Sequence, residues 1–513
     1  MEFDAWGWDA PQSGSGRLPI ADVSYRMAAA SAGVAAASTG VAAAWVLLVA
    51  VLGVVPGVSS AQQASDLATR LDRASTRGVL RQARVGALVV RERDGAVLYA
   101  RNANVALIPA SNMKILTALT ALEVFGPAHR FETIIQANTR PGLRGEVTDL
   151  AVLGGGDPVL NSEDWWRLAA DLHRGGLRRV QGDILVDDSA FDAVFWHPDW
   201  GSVSSRAYHA PVGALTANYG AFFVAVRPGA RSGDPVRVSV DPPVPYLQVS
   251  NLAVTGTQRA QRSLSVHRAQ KRGANDVVSV RGTVRVGDAE DVFPRSVSDP
   301  ALYAGAVLKL QLEAVGIAVE GKVRRGQASL PVELLVFKGR PLSEIVRLFM
   351  KYSNNSIAEG LVKSLAVHST GGAGNWPDGL AEMQRRLRAR GLWSEGMVVV
   401  DGSGLSPHAR VTPASLVEAL REGGREFRLG PELVASLPIA ARDGTLEKRT
   451  RRSQGKVRAK TGLLSDQRVT ALSGFAELAD GELGVFSILV NRYAGGASGA
   501  MSAVDAWVAE LAH

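Results

Sequence analysis

Three short words stand far apart in this chain, and only a fold that brings them together gives any of them chemistry. They are Ser111-Asn112-Met113-Lys114, Ser353-Asn354-Asn355 and Lys460-Thr461-Gly462. They read SxxK, SxN and KTG, the set that builds a serine acyl-transfer site without a histidine. Ser353 stands 239 positions after Lys114, so whatever fills that gap must fold without driving the two ends apart. Singly, each word is cheap. SxxK recurs as Ser453-Gln454-Gly455-Lys456 just after Arg449, Arg451 and Arg452, where it reads as a solvated basic turn.

Context gives the words weight. Lys114 is followed by Ile-Leu-Thr-Ala-Leu-Thr-Ala-Leu-Glu, a composition that predicts a helix. Ser111 then falls in the first turn, beside the positive end of the helix dipole. Lys114 lies on the same face, about 5–6 Å away at Cβ, where it can act as the base that a hydroxyl nucleophile needs. The amine must be neutral, although free lysine titrates near about 10.4. Burial and a second cation, with Lys460 the candidate, would lower it. Alone, Ser353-Asn354-Asn355 would be a polar loop or a helix N-cap. With its companions, Ser353 relays a proton and Asn355 bonds a peptide-like substrate. Alternating apolar residues around Lys460 predict an edge strand on which Lys460 and Thr461 bind a carboxylate and Gly462 lets substrate backbone approach.

With these words in place the chain resembles the class C low-molecular-mass penicillin-binding proteins, the D-alanyl-D-alanine carboxypeptidase/endopeptidase family of peptidase type S13. The likeness extends through "GALVVRERDGAVLY" (86–99), "PASNMKILTALTALEVFG" (109–126), "LGGGDPVL" (153–160), "GDILVDDSAFD" (182–192), "YHAPVGALTANYG" (208–220) and "DGSGLS" (401–406), and covers about residues 66 to 513. It implies an α/β (α+β) penicillin-binding, serine β-lactamase-like fold: an antiparallel sheet flanked by helices, with a large β-rich insertion. The expected division is a catalytic domain from 66–127 and 321–513, and an insertion at 128–320 rich in short alternating runs. Hairpins are expected through Asp94-Gly95 and Asp480-Gly481, and a helix over 498–511.

The resemblance also implies chemistry. Ser111 is the nucleophile, Lys114 its base, Ser353 the proton relay, and Asn355 and Lys460 complete the catalytic set. Thr461, Gly462 and Leu463 bind substrate, with the backbone N–H groups of Ser111 and Leu463 holding the oxyanion. The substrate is a peptidoglycan stem peptide and β-lactams are covalent inhibitors. The activity is that of a D-Ala-D-Ala carboxypeptidase, with cleavage of cross-bridges as a second outcome of the same attack. No metal or organic cofactor is implied. A serine β-lactamase would use the same words but needs a deacylating base, and no glutamate motif of that type is visible. A non-catalytic envelope scaffold is the other competing reading.

Composition narrows the setting. The chain has no cysteine, which excludes disulfides and Cys-based zinc sites. There is no HExxH and no GxSxG elbow, arguing against a zinc peptidase and an α/β-hydrolase. Gly154–Gly156 lacks the Gly-Lys-Ser/Thr of a phosphate loop. No charged residue occurs between Arg26 and Asp66, and the apolar run 41–55 ends at Pro56-Gly57 before Ser59-Ser60-Ala61. Residues 1–61 therefore read as an export signal or a membrane anchor, placing the enzyme in the cell envelope. The net charge of +8 suits anionic envelope polymers rather than nucleic acid, for which no recognition motif is present. The most basic stretch, 259–272, is expected to be an exposed loop.

Overall fold

The computed structural model describes residues 60–513 apart from 273, 274 and 328. The expected export segment 1–61 falls almost wholly outside the described residues. Among those described, no helix is long and apolar enough to cross a membrane.

Two largely apolar stretches near the C-terminus become inner strands of a five-stranded antiparallel sheet. Its spatial order is Val457–Leu464, Val469–Glu477, Leu483–Asn491, Arg84–Arg91, Val97–Arg101. Val469–Glu477 and Leu483–Asn491 are buried at every position but one, because both sheet faces are covered. Val485 and Leu489 join a helical core, whereas Phe486, on the opposite face, meets Trp507 of the C-terminal helix Ala497–Ala509. The two hairpins turn where expected, with Gly95 at φ 77° and Gly481 at φ 81°. Lys460-Thr461-Gly462 lies on Val457–Leu464, at one edge of this sheet.

The helical core surrounds Met113–Phe125, a helix whose residues 113–122 are all buried, as befits one that is apolar on every side. Around it pack Leu342–Tyr352, Asn355–Thr370, Trp376–Ala389 and Pro413–Arg425. A separate core lies among residues 135–337. Its largest sheet runs Val323–Arg325, Ile184–Asp187, Leu150–Gly154, Arg130–Ala137, Val332–Pro341. The first three strands are parallel to one another, and the pairs involving Arg130–Ala137 are antiparallel. Short alternating runs correctly foretold strands here but not the two helices that fill the core between them. Ser162–Arg174 starts at an Asn161–Asp164 capping box, and Pro300–Ala314 starts under an Asp299 cap, sequence signals strong enough to have been read.

One expectation needs correcting. Within the basic stretch 259–272, Ser265–Arg272 is a strand paired antiparallel with Asn275–Arg285, not a loop. Its arginines hid a period of two: Val266 is buried, and Arg268 donates from Nε to the Ser296 carbonyl at 2.9 Å.

Candidate active site

Val332–Pro341 runs directly into the helix Leu342–Tyr352, and that helix ends at Ser353. Ser353 takes the left-handed conformation, φ 59° and ψ 32°, which costs a non-glycine residue roughly 1–3 kcal/mol. The reversal is fixed from the far side by Asn354, whose side chain accepts from Ile357 N at 3.0 Å and caps the next helix, Asn355–Thr370. Asn355 is therefore the first residue of a helix and Ser353 the last outlier before it. Their side chains reach two different lysines.

Ser111 sits in a 3₁₀ turn, Ala110–Asn112, that continues into Met113–Phe125; it is half-buried. Lys114 follows it underneath and is 0% exposed. Lys114 Nζ lies 3.2 Å from Ser111 Oγ, and donates to Asn355 Oδ1 at 2.7 Å and to the Ser403 carbonyl at 2.8 Å. Asn355 Nδ2 donates to the Tyr208 carbonyl at 3.0 Å, which fixes its oxygen toward the lysine. This arrangement has a chemical consequence. A neutral amine has two N–H bonds and one lone pair. Two of its three partners here can only accept, so the lone pair is left for the Ser111 hydroxyl.

Burial lowers the Lys114 amine to about 7, against the opposing pull of Glu359 and Asp401. Lys460 is also 0% exposed, and donates from Nζ to Ser353 Oγ at 2.9 Å and to the Thr461 carbonyl at 2.8 Å. Burial holds it well below its ordinary range, and Lys114 adds like-charge repulsion. The sequence suggested that Lys460 would help depress Lys114. Burial is the larger cause at Lys114, opposed by Glu359 and Asp401, and the like-charge repulsion between the two lysines is mutual.

The KTG strand is seated on the serine turn. Asn112 Nδ2 donates to the Lys460 carbonyl at 3.1 Å. A Cβ added at Gly462 would stand 3.0 Å from both Asn112 Nδ2 and the Pro109 carbonyl. The missing side chain at Gly462 thus admits the serine turn itself, where the sequence had reserved that space for substrate. Thr461 Oγ1 donates to Thr445 Oγ1 at 2.7 Å, and Leu463 continues the same edge strand. Ser453 of the second SxxK lies in a 3₁₀ turn as expected, but it is buried and not solvated.

Two residues of the site went unread. Glu359 is 0% exposed on the Asn355–Thr370 helix. It accepts from Ser403 N at 2.7 Å, Gly402 N at 3.1 Å and Trp376 Nε1 at 2.8 Å. Asp401, quoted above only as part of the 401–406 likeness, accepts from Gly404 N and Ser406 N at 2.7 Å each and from Trp200 Nε1 at 2.9 Å. A carboxylate flanked by Ile357, Ala358, Leu361 and Val362 was the available signal for Glu359, since an acid on an apolar helix face needs buried partners.

Comparison with known proteins identifies the family. A family model described as D-Ala-D-Ala carboxypeptidase 3 (S13) matches residues 67–511. The chain belongs to that family. This peptidase is 37% identical over 472 residues to a D-alanyl-D-alanine carboxypeptidase of Actinomadura sp. strain R39, covering 88% of this chain and 86% of that one. It is 25% identical over 425 residues to the D-alanyl-D-alanine carboxypeptidase DacB of Haemophilus influenzae, covering 80% and 86%. Its fold matches the crystal structure of penicillin binding protein 4 (dacB) from Haemophilus influenzae with a TM-score of 0.72 at 24% identity, covering 87% of this chain and 97% of that one. The expected α+β penicillin-binding fold is thereby shown, and the chain is a hydrolase of the carboxypeptidase class.

Proposed function

We propose that this enzyme is a serine D-Ala-D-Ala carboxypeptidase that acts on peptidoglycan stem peptides through an acyl-enzyme on Ser111. The observation that carries the reading is the bonding of Lys114: its N–H groups are taken by Asn355 and Ser403, so its lone pair faces Ser111. Ser111 Oγ attacks the carbonyl carbon of the penultimate D-alanine, and its proton passes to Lys114. The resulting oxyanion is held by the backbone N–H groups of Ser111 and Leu463. As the C–N bond breaks, Ser353 gives its proton to the departing nitrogen and takes up the one that Lys114 received from Ser111, while Lys460 holds Ser353 in place at 2.9 Å and Lys114 is neutral again. Lys460 and Thr461 receive the terminal carboxylate, and Asn355 orients the peptide. Water then attacks the ester and restores Ser111.

The same attack opens a β-lactam ring, and the bulky product left on Ser111 blocks the water. A β-lactam complex is known for the Haemophilus influenzae relative named above. Cleavage of a cross-bridge between stem peptides is the same reaction with a larger leaving group, so endopeptidase activity belongs to this proposal. So does residence outside the cytoplasmic membrane, where such peptides occur and to which 1–61 would direct the chain. We propose too that the inserted domain runs from about 128 to 341, because Val332–Pro341 pairs with Arg130–Ala137.

Release of D-alanine from a peptide ending in D-Ala-D-Ala tests the reading. Wild type releases it and Ser111→Ala does not. Equal release by both proteins would remove Ser111 from the chemistry.

A further inference from the structure

Behind Lys114 lies a second polar layer whose two acids have no role in the mechanism above. The peptide group joining Ser403 to Gly404 is gripped at both ends: its carbonyl accepts from Lys114 Nζ at 2.8 Å, and its N–H donates to Asp401 Oδ1 at 2.7 Å. The preceding N–H, that of Ser403, donates to Glu359 at 2.7 Å. Hydrogen bonds in such a chain polarise one another, so a carboxylate on the N–H side makes the carbonyl a better acceptor for the lysine. Both carboxylates are 0% exposed, where burial without a purpose is costly. Backbone geometry serves the same end. Gly404 has φ +74°, and a Cβ there would stand 1.9 Å from the Ala110 carbonyl, so this loop lies directly against the serine turn.

Resting on the acyl-enzyme reading, we propose that Glu359 and Asp401 are positioning residues that hold the Ser403 carbonyl on Lys114 and set the pH at which Lys114 becomes a base. The carbonyl is one of the two acceptors that turn the lysine's lone pair toward Ser111. The acids also act by charge: both favour the ammonium form of Lys114 and oppose the effect of burial. Burial and the Asp401 charge in turn raise the Glu359 carboxyl to about 7, opposed by its three N–H donors.

The surroundings define what a variant changes. Glu359 is faced by Asp401 from the loop, by Trp376 from the next helix, and by Lys363 one turn along its own helix. Lys363 is held by Asp192 Oδ1 at 2.5 Å and the Val194 carbonyl at 2.6 Å. His197 packs on Trp376 at 5.1 Å between ring centroids. Lys114 is faced by Glu359 and Asp401, with Lys460 across the site.

The test is the pH dependence of Ser111 acylation by a fluorescent penicillin, measured for wild type, Glu359→Gln and Trp376→Phe. With the Glu359 charge removed, Lys114 loses its proton more readily. The acid limb of Glu359→Gln should therefore move to lower pH by about one unit, with a maximal rate down about tenfold. Trp376→Phe removes one donor that stabilises the Glu359 anion and should move the limb the same way by less. If Glu359→Gln does not fold, Trp376→Phe decides alone. A slower but unshifted profile in the folded variant means a merely structural role and overturns the inference, as does an unchanged one. Absence of label on wild type overturns the acyl-enzyme reading and this inference with it, so the two failures are distinguishable.

Discussion

Lys460 Nζ donates to Ser353 Oγ over 2.9 Å, so the second serine is tied to the edge strand while the first is served by Lys114. Each lysine has its own hydroxyl. Ser353→Ala should therefore leave the fold intact and lower acylation about 10²–10⁴-fold, the usual worth of a positioned acid–base group. The check is the penicillin acylation rate beside the thermal midpoint. A rate within a few-fold of wild type would remove Ser353 from proton transfer.

Lys114 is a base only when neutral, and burial brings it to about 7. Acylation should rise from acid pH with a midpoint near 7 and level off above it. Ordinary lysine behaviour would put the rise some three units higher. A rate profile from pH 5 to 9 on the wild-type enzyme separates the two.

Gly404 allows no side chain. At φ +74° an alanine is strained, and its Cβ would stand 1.9 Å from the Ala110 carbonyl. Gly404→Ala should lower stability by about 3 kcal/mol or more and abolish labelling of Ser111. Urea unfolding and penicillin labelling on one preparation report both effects.

Asp157 lies in the 153–160 word and is buried, with Val159 N on Oδ1 at 2.9 Å and no hydrogen-bond partner on Oδ2. Burial raises its carboxyl from 3.8 to about 7, with Asp164 adding to the rise and Arg340 opposing it. A raised acid contributes stability below its unfolded value and loses it as pH climbs through the folded one. Relative to wild type, Asp157→Asn should gain stability between about pH 4 and 7, reaching on the order of 2–4 kcal/mol, and hold that gain above. Thermal midpoints of both proteins across this range give the answer.

Much of this site was legible because its parts are local. SxxK on an Ala/Leu-rich helix, an Asx cap behind Ser353 and a strand bearing KTG are each written in a few consecutive residues. Relations between distant segments were not. Nothing near Gly462 announces that Asn112 and Pro109 occupy the space above it, and nothing near Lys114 announces two acids 245 and 287 positions further on. The basic strand Ser265–Arg272 was hidden for a different reason. Its charge outweighed an alternation that only pairing with Asn275–Arg285 makes useful.

The central claim is that Ser111 is the nucleophile, and covalent trapping tests it most directly. The purified protein is incubated with penicillin, and the intact mass and the labelled peptide are determined beside Ser111→Ala. One adduct on wild type, mapped to Ser111 and missing from the variant, is the expected result. An adduct on another residue, or none with the drug left intact, would contradict it.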